Sequence, residues 1–563
     1  MDYVTWALRE NPELAIFLAV ALGFLIGRIR FGSFSLGIVV GSLLAGVVIG
    51  QLDIRVPGVV KGVFFNLFLF TTGYKVGPQF FRGLKGDAMP QLVLTVVICV
   101  SCLLTSFIAA KLLGYDIGTA AGLLAGAFSE STVIGTAGDA IGRLDLPLEE
   151  RTRLLNNIPV AYAVTYLIGT AALVWFIPTI GPRLMGADLL VEAARVRQSG
   201  AEKERVPDGL LSAARPFDVR AYRLTDARVF GRTIAEVEAM ASPARVYVMR
   251  LRRGDEIMDA APGVVLREGD VIALIGRHES HTARADAMGP EVSDPGLLDL
   301  PVATLDVIVT KTEVAGRTIE DLAGRDFARG VFLAKLRRAG LEIPVARQTR
   351  LDRGDVMTLI GAVPDVERAA QAIGYADRPT AATDMIFVGV GIFLGGLLGL
   401  LSVVVAGVPI TLTVSGGALV MGLVFGWLRS VYPVFGRIPE AAVWIFDTLG
   451  LCMFISIVGI GAGPGFMAGL EKTGPSLILV GLTSALLPHT VGILFGRYVL
   501  RMNPLIVLGT CAGAGTITAA LRAVQDKAQS SYPALGYTVP YAVGNILLTA
   551  WGPVLVAMMW VSR

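Results

Sequence analysis

The chain of 563 residues carries 49 Lys and Arg against 46 Asp and Glu, which gives a net charge of +3, and 54% of its residues are hydrophobic. Charged residues make up only 17% of the chain, against about 25% in soluble domains, and the mean hydropathy is +0.65. These values exclude a soluble enzyme, a secreted disulfide scaffold and a fibrous protein. The small net charge gives no support for nucleic acid as a partner.

The charged residues are concentrated in the middle of the chain. Of the 95 Asp, Glu, Lys and Arg residues, 59 lie within residues 182–380. We therefore predict a first transmembrane repeat over 1–181, a cytoplasmic region over 182–380, and a second transmembrane repeat over 381–563.

Uncharged windows of the length that a membrane helix needs, about 20 residues, occur on both sides of the polar region. The windows are 14–30, 31–52, 62–81, 88–110, 117–138 and 154–182 in the first repeat, and 385–428 (long enough for two), 441–470, 473–496, 502–521 and 528–562 in the second. The sequence therefore offers six candidates in each repeat.

The two apolar regions share short sequence matches in the same order. Residues 36–46 match 412–422, residues 77–84 match 463–470, and Ala-Gly-Ala at 125 and Tyr-Ala-Val at 162 recur at 512 and 541. Four ordered matches predict an internal duplication, as in many secondary transporters.

The distribution of Arg in the loops predicts that the duplication is inverted. Arg28 and Arg30 follow the first window, whereas the equivalent loop, 399–410, carries no charge; conversely, Arg429 and Arg437 follow the second window of the second repeat. Cytoplasmic loops carry the Lys and Arg excess. We therefore expect both termini outside, in the periplasm, the polar region in the cytoplasm, and five full crossings plus one re-entrant or broken segment in each repeat.

The polar region contains a second, shorter repeat. Residues 229–234 match 314–319, and Gly269-Asp270 matches Gly354-Asp355, each 85 positions later. Each copy indicates a short helix, a strand, a turn and a closing strand. The pattern resembles two tandem TrkA C-terminal (RCK C) domains, about 215–289 and 300–374, and this resemblance implies regulation and dimer formation. A structural cap that binds nothing is the alternative.

Charged residues inside apolar windows are the first functional candidates, because each costs about 2.5–3.5 kcal/mol at a helix centre. Lys75 lies in Thr71-Thr-Gly-Tyr-Lys-Val-Gly-Pro78, where Gly and Pro favour a helix break. Its ammonium could pair with a substrate carboxylate or extend to the membrane surface. Asp447 is a candidate for coupling transport to an ion, although it could equally lie near the membrane interface.

Two polar segments in the repeats are the second set of candidates. Glu130 lies in a run of hydroxyl residues after a Gly/Ala stretch, and the matched segment of the second repeat repeats that chemistry without the acid. Unwound helices of this kind present free N–H groups to an anion, although Ser and Thr could also bond back within continuous helices. Glu130 could instead bind a proton or a cation. The predicted substrate-binding residues are Lys75, Ser129, Glu130, Ser131, Thr132, Gly515, Thr516, Thr518, Asn157 and Asn545.

No other motif predicts a metal or a cofactor. His278 and His281 form a lone HxxH pair that is more typical of loop histidines than of a zinc site. No glycine-rich dinucleotide motif precedes the central repeat. We expect neither a metal nor a cofactor, and no enzymatic activity.

The whole arrangement resembles the aspartate:alanine exchanger family: two related membrane repeats around tandem RCK C domains, a Gly-Tyr-Lys-Val-Gly-Pro-Gln-Phe-Phe segment, and Ala-Gly-Ala segments followed by Ser or Thr. The resemblance implies a dimeric antiporter of the bacterial inner membrane that exchanges L-aspartate for L-alanine by alternating access. A dicarboxylate exchanger of the succinate type is the alternative, since the family also includes transporters of such acids. Glu130 leaves the identity of the substrate open, because it would repel a second carboxylate unless it is protonated. A gated ion channel and a sensor without transport remain further alternatives.

Overall fold

The protein is described here from a computed structural model, which describes residues 3–31, 34–83, 88–198, 218–240, 245–276, 289–338, 341–378, 383–405, 408–432 and 436–562. The chain divides into two compact units. The first, helical unit comprises residues 1–199, 339–343 and 379–563, and the second comprises residues 200–338 and 344–378. The HxxH pair, His278 and His281, lies outside the described residues.

The first half of the helical unit consists of long apolar helices and one short hairpin. Its helices are α1 (Tyr3–Glu10), α2 (Pro12–Gly27), α3 (Ile38–Gly50), α4 (Gly58–Gly83), α5 (Met89–Leu112), α6 (Ile117–Ala127), α7 (Thr132–Gly142), α8 (Leu148–Leu184) and α9 (Leu189–Gln198). Strands β1 (Arg30–Phe31) and β2 (Phe34–Ser35) form an antiparallel hairpin between α2 and α3.

The second unit contains two antiparallel sheets with the same strand order. In this unit the first sheet has the order β5-β4-β6-β3-β7, and the second has the corresponding order β9-β11-β8-β12. Strand β10 belongs to residues 339–343, which are grouped with the helical unit. The strands are β3 (Asp218–Arg223), β4 (Val246–Arg253), β5 (Glu256–Asp259), β6 (Val271–Gly276), β7 (Glu291–Val292), β8 (Val302–Val309), β9 (Val331–Arg338), β10 (Leu341–Ile343), β11 (Val356–Ala362) and β12 (Gly374–Asp377), and the helices are α10 (Ile234–Met240), α11 (Pro295–Leu298), α12 (Ile319–Ala323) and α13 (Val363–Ile373).

An arginine–aspartate pair recurs at the same place in both sheets. Arg253 donates to both oxygens of Asp270 at 3.0 and 2.8 Å, and Arg338 donates to both oxygens of Asp355 at 2.7 and 2.6 Å. Both carboxylates are buried, and burial of an unpaired charge is costly. Arg253 and Arg338 are 85 positions apart, as are Asp270 and Asp355 of the repeated Gly-Asp motif, so the repeat supplies the partners of one ion pair in each copy.

The second half of the helical unit begins like the first half, with a helix, a hairpin and a second helix. The helices are α14 (Met385–Gly399), α15 (Thr413–Val431), α16 (Glu440–Leu494), α17 (Pro504–Ala514), α18 (Thr518–Ala528) and α19 (Thr538–Val561); strands β13 (Ser402–Val405) and β14 (Val408–Thr411) form the hairpin. A π-helical turn over Phe495–Val499 follows α16, and a 3₁₀ turn over Tyr532–Gly536 precedes α19.

Six helical segments among the described residues are long and apolar enough to cross a membrane, or seven if the bent pair α1 and α2 counts as one span. The six are Met89–Leu112, Leu148–Leu184, Thr413–Val431, Glu440–Glu471, Pro475–Val499 and Thr538–Val561. A chain with this many apolar spans is a polytopic membrane protein.

Glycines allow the two halves to cross each other at close range. A Cβ atom on Gly46 or Gly50 of α3 would meet the backbone of α16, and one on Gly422 or Gly426 of α15 would meet the backbone of α4. Each half thus places its GxxxG helix on a long helix of the other half, α16 or α4, as small residues permit in membranes. These crossings join the halves into one helical unit.

One prediction about a helix break is wrong. The expected break at residues 71–78 does not exist, because α4 continues through Pro78 to Gly83. Gly73 and Gly77 serve instead the close crossing with α15. The predicted windows 441–470 and 473–496 match the separate candidate spans Glu440–Glu471 and Pro475–Val499. Helix α16 contains three prolines over this stretch, and membrane helices tolerate proline where neighbouring helices satisfy the freed backbone groups.

Candidate functional site

The helix pair α6 and α7 is interrupted at residues 128–131 by a residue in the left-handed conformation. Ser129 has φ 56°. The Ser129 amide donates to Gly126 O at 3.1 Å, and the Glu130 amide donates to Ala125 O at 2.8 Å. This pair of bonds is the Schellman motif, in which glycine normally occupies the left-handed position. The first predicted polar segment is therefore a helix break.

The second predicted polar segment has the same backbone. Thr516, 387 positions after Ser129, has φ 57° and lies between α17 and α18. Its amide donates to Gly513 O at 2.9 Å, and the Ile517 amide donates to Ala512 O at 2.9 Å. A β-branched residue in this conformation is an outlier, and such outliers concentrate at functional sites.

The two breaks contact each other. The Thr516 hydroxyl donates to Phe128 O at 3.1 Å. The buried ring of His489 lies 4.8 Å from the Phe128 ring, and a Cβ atom on Gly515 would lie 2.8 Å from His489 Nε2. His489 thus packs against both breaks, and position 515 has no room for a side chain.

A tyrosine pair accompanies each break. Ser131 Oγ lies 2.7 Å from Tyr162 Oη, and Thr518 Oγ1 lies 2.8 Å from Tyr537 Oη. Each tyrosine has a second one four positions later, with ring centroids 5.2 Å apart in the first pair and 5.3 Å in the second. The contacts therefore match Tyr162 with Tyr537, one helical turn earlier than the sequence match of Tyr162 with Tyr541.

The two breaks differ in charge. Glu130 is buried, and its carboxylate accepts from the Thr132 hydroxyl at 2.7 Å and from the Thr132 amide at 3.4 Å. The carboxylate therefore lies at the start of α7, where free N–H groups and the helix dipole favour an anion. Ile517 occupies the equivalent position, so the start of α18 has no acid of its own.

An ion pair between Lys75 and Asp447 joins α4 to α16. Lys75 Nζ lies 3.0 Å from Asp447, which also accepts from the Thr72 hydroxyl at 3.1 Å. The two side chains remain 35% and 24% exposed. The two predicted charges are thus partners of each other, which the sequence analysis did not foresee.

The ion pair lies within electrostatic range of the breaks. Tyr541 interacts with the charges of both Asp447 and Glu130, and Tyr537 interacts with the charges of Lys75 and Arg522. Two cations therefore lie near the tyrosine that binds the start of α18.

The two predicted asparagines lie at different places relative to the breaks. The Asn157 amide donates to Asp116 at 2.7 Å. Asp116 lies at the start of α6, at the opposite end of that helix from the break. The Asn545 amide donates to Tyr541 O, one turn earlier in its own helix. Asn545 therefore lies beside the tyrosine pair, whereas Asn157 does not belong to the cluster around the breaks.

Three residues of the cluster were missed by the sequence analysis. Tyr162 and Tyr537 bind the hydroxyls that follow the breaks, and Arg522 lies one turn after Thr518 on α18. An arginine at that spacing from a predicted site residue was a signal available in the sequence. The tyrosines have no local signal, because their partners are 31 and 19 positions away.

The chain is similar to proteins that are described as permeases or transporters. Residues 15–182 and 387–557 match the model of a family described as a predicted permease membrane region. A relative from Shewanella oneidensis MR-1, named an uncharacterized transporter, is 42% identical over 99% of this chain and 100% of its own length. Relatives with that designation from Bordetella bronchiseptica RB50 and Bradyrhizobium diazoefficiens USDA 110 are 38% and 39% identical, covering 98% and 91% of this chain and 97% and 100% of their own.

Proposed function

Because this chain belongs to the Asp-Al_Ex family of predicted permeases, we propose that it is a secondary active antiporter for small carboxylates and amino acids. L-aspartate and L-alanine are the proposed pair, and a dicarboxylate of the succinate type is the alternative substrate. The proposal requires no cofactor and no enzymatic step.

The contact between the two helix breaks is the observation that carries this proposal. Secondary transporters bind substrate where broken helices meet, because the interrupted backbone offers N–H and C=O groups that a continuous helix does not. Ser129 and Thr516 hold the two breaks in the same left-handed conformation, and the Thr516 hydroxyl joins them. The breaks thus supply a preformed set of polar groups in an otherwise apolar bundle.

The start of α18 is the proposed position of a substrate carboxylate. It lacks an acid of its own, since Ile517 replaces Glu130, and Thr518 and Tyr537 place two hydroxyls there. Lys75 and Arg522 add positive charge near Tyr537. A substrate carboxylate would compete with Asp447 for Lys75, which links binding to the state of that acid. Asp447 and Glu130 are therefore the proposed coupling residues.

Alternating access by two inverted repeats is the proposed transport mechanism. The equivalent helices α4 and α16 lie antiparallel, since Lys75 pairs with Asp447 whereas the earlier Phe65 stacks on the later Phe454 at 4.2 Å. Antiparallel equivalents are what an axis in the membrane plane produces. Movement of the breaks and their tyrosines against the crossed helices would expose the site to each side in turn.

The surroundings of the transport unit are also part of the proposal. We infer that the two sheets of the second unit are tandem RCK C domains in the cytoplasm of the cell, that both termini face the periplasm, and that the transporter is a homodimer in the inner membrane. The shared strand order of the two sheets supports the tandem arrangement. Their role would be regulation of transport.

Counterflow in proteoliposomes tests the proposed function. Vesicles with the purified full chain are loaded with unlabelled aspartate, alanine, succinate or buffer alone, and uptake of external labelled aspartate is followed. An antiporter takes up label only into vesicles that contain a counter-substrate, and the loading series identifies the pair. Equal uptake into buffer-loaded vesicles, or no uptake with any of the three acids, would contradict the proposal.

A further inference from the structure

A cavity of about 210 Å³ lies in the helical unit, apart from the helix breaks. It is lined by α4, α7, α8 and the first part of α16. Its polar side chains are Lys61 and Asn156, and the remaining lining is apolar, with Ile134, Phe454 and Val458 among it. The cavity thus combines one cation and one amide with apolar walls, as small-molecule sites commonly do.

The cavity occupies the place that corresponds to the Lys75–Asp447 ion pair. Gly77 and Gly463 are equivalent in the two repeats and 386 positions apart; at the same spacing Lys61 corresponds to Asp447, and Gly461 corresponds to Lys75. One end of the α4–α16 pair therefore carries a lysine and an aspartate in contact at 3.0 Å. The other end carries a lysine and a glycine, and both line the cavity.

Among the described residues that line the cavity, none offers a carboxylate to the cation. A Cβ atom on Gly461 would meet nothing within 4 Å, so the glycine leaves open space where its equivalent has a long side chain. Asp139 is the acid within electrostatic range of Lys61, but it accepts from the Ser415 hydroxyl at 3.1 Å and does not line the cavity. Among the described residues no ion pair of Lys61 is formed.

We propose that this cavity is a second carboxylate-binding site, in which Lys61 and Asn156 hold the carboxylate of a small amino acid or dicarboxylate. The proposal rests on the proposed function for the identity of its ligand. A cavity of about 150 Å³ accommodates benzene, so 210 Å³ has room for a four-carbon acid. The ammonium of Lys61 would supply the charge-assisted bond, and the Asn156 amide a second donor.

An aromatic pair separates this site from the Lys75 end. Phe65 stacks on Phe454 at 4.2 Å, and the Phe65 ring fills the space beside Gly135 of α7. Phe454 itself lines the cavity. A substrate in the cavity would therefore lie on the opposite side of the aromatic pair from Lys75, which makes the cavity a site of entry or exit at one face of the transporter.

A matched pair of substitutions at Gly461 tests the proposal. Gly461→Asp places a carboxylate beside Lys61, and Gly461→Asn fills the same space without charge. Because a charge-assisted bond is lost, Lys61→Gln should raise KM for aspartate in counterflow about tenfold or more. G461D should raise KM several-fold more than G461N, because both fill the same space but only the aspartate occupies Lys61. Equal KM values in wild type, G461D and K61Q would overturn the proposal.

A labelling experiment provides a readout that does not depend on transport. The four native cysteines are buried, so Gly461→Cys in the full chain offers a new accessible thiol. Lys61 should make an anionic methanethiosulfonate react several-fold faster than a cationic one, and K61Q in the same background should remove that preference. Aspartate, but not glycerol, should slow the reaction.

The two experiments separate failure of the site from failure of the proposed function. If wild type exchanges acids but the thiol shows no preference for the anionic reagent, the second site is refuted and the antiporter stands. If wild type exchanges none of the acids but the thiol prefers the anionic reagent through Lys61, the anion site stands and the antiporter is refuted.

Discussion

Replacing Thr516 by glycine should leave stability nearly unchanged but abolish exchange. A non-glycine residue in the left-handed conformation costs about 1–2 kcal/mol, which glycine would relieve. Against this gain, the substitution removes the Thr516 bond to Phe128 O, about 0.5–1.5 kcal/mol, and adds chain entropy to the unfolded state, about 0.5–1 kcal/mol. The three terms nearly cancel, so the net change should lie within about 1.5 kcal/mol of zero.

The loss of activity has a different physical cause. The Thr516 hydroxyl joins the two breaks, and without it the backbone groups of the second break lose their fixed relation to the first. A displacement of about 1 Å at a site can cost 100-fold in rate. We therefore expect T516G to reduce aspartate counterflow by about 100-fold at an unchanged melting temperature.

Two further variants make this prediction refutable. Thr516→Ser keeps a hydroxyl in the same place and should retain most of the exchange activity. Ser129→Gly is the matched variant at the first break: it removes the bond to Thr170 Oγ1 at 2.6 Å, which joins two residues of the first half and not the two breaks. Counterflow and thermal unfolding would be measured on the same purified samples. A T516G variant that loses stability and activity in parallel would show that Thr516 acts through folding, and full activity would remove it from the site.

Three other changes have expected outcomes. Lys75→Ala should abolish exchange at normal protein level, because Lys75 bears the charge opposite Asp447, and K75R should retain part of the exchange. Counterflow of labelled substrate measures both variants, and unimpaired uptake by K75A would exclude Lys75 from the substrate site. Asp355→Ala leaves the buried Arg338 with one carboxylate fewer and should destabilise the second unit by about 3–5 kcal/mol, seen as a lower unfolding temperature of the full chain. The Arg252 guanidinium lowers the pKa of Asp294, which caps α11. The stabilisation of α11 by Asp294 is therefore present above the ordinary pKa of about 4 and is lost as the pH falls through the lowered value. D294N should remove that acid dependence from thermal unfolding.

Helix breaks were predictable from the sequence, but their geometry was not. Gly/Ala stretches followed by Ser and Thr indicated both segments, because small residues and hydroxyls accompany unwound helices. The residues that adopt the left-handed conformation could not be chosen, since glycine is the usual occupant and Gly515 lies directly beside Thr516. The backbone assigns that conformation to Thr516, while Gly515 is needed for contact with His489.

Contacts between the halves were beyond the sequence analysis. Lys75 and Asp447 are 372 positions apart, and each was interpreted alone, so their ion pair was missed. A break was expected at Pro78 because proline and glycine interrupt soluble helices, but in α4 the glycines serve the crossing with α15. The short repeat in the polar region was easier, because its shared Arg and Asp positions lie only 17 residues apart in the chain.

The two breaks have the same backbone conformation but carry different side chains. This difference supports the proposed binding of an anion at one of them. Both breaks have a left-handed hydroxyl residue and a bound tyrosine, so the repeats supply the same cradle twice. At the first break the carboxylate of Glu130 already lies at the start of the following helix. At the second break Ile517 leaves that position without an acid. In the proposed function, a carboxylate of the substrate would bind at the start of α18, and the ammonium of an amino acid would face Glu130, whose carboxylate lies within hydrogen-bond reach of Thr516 at the second break.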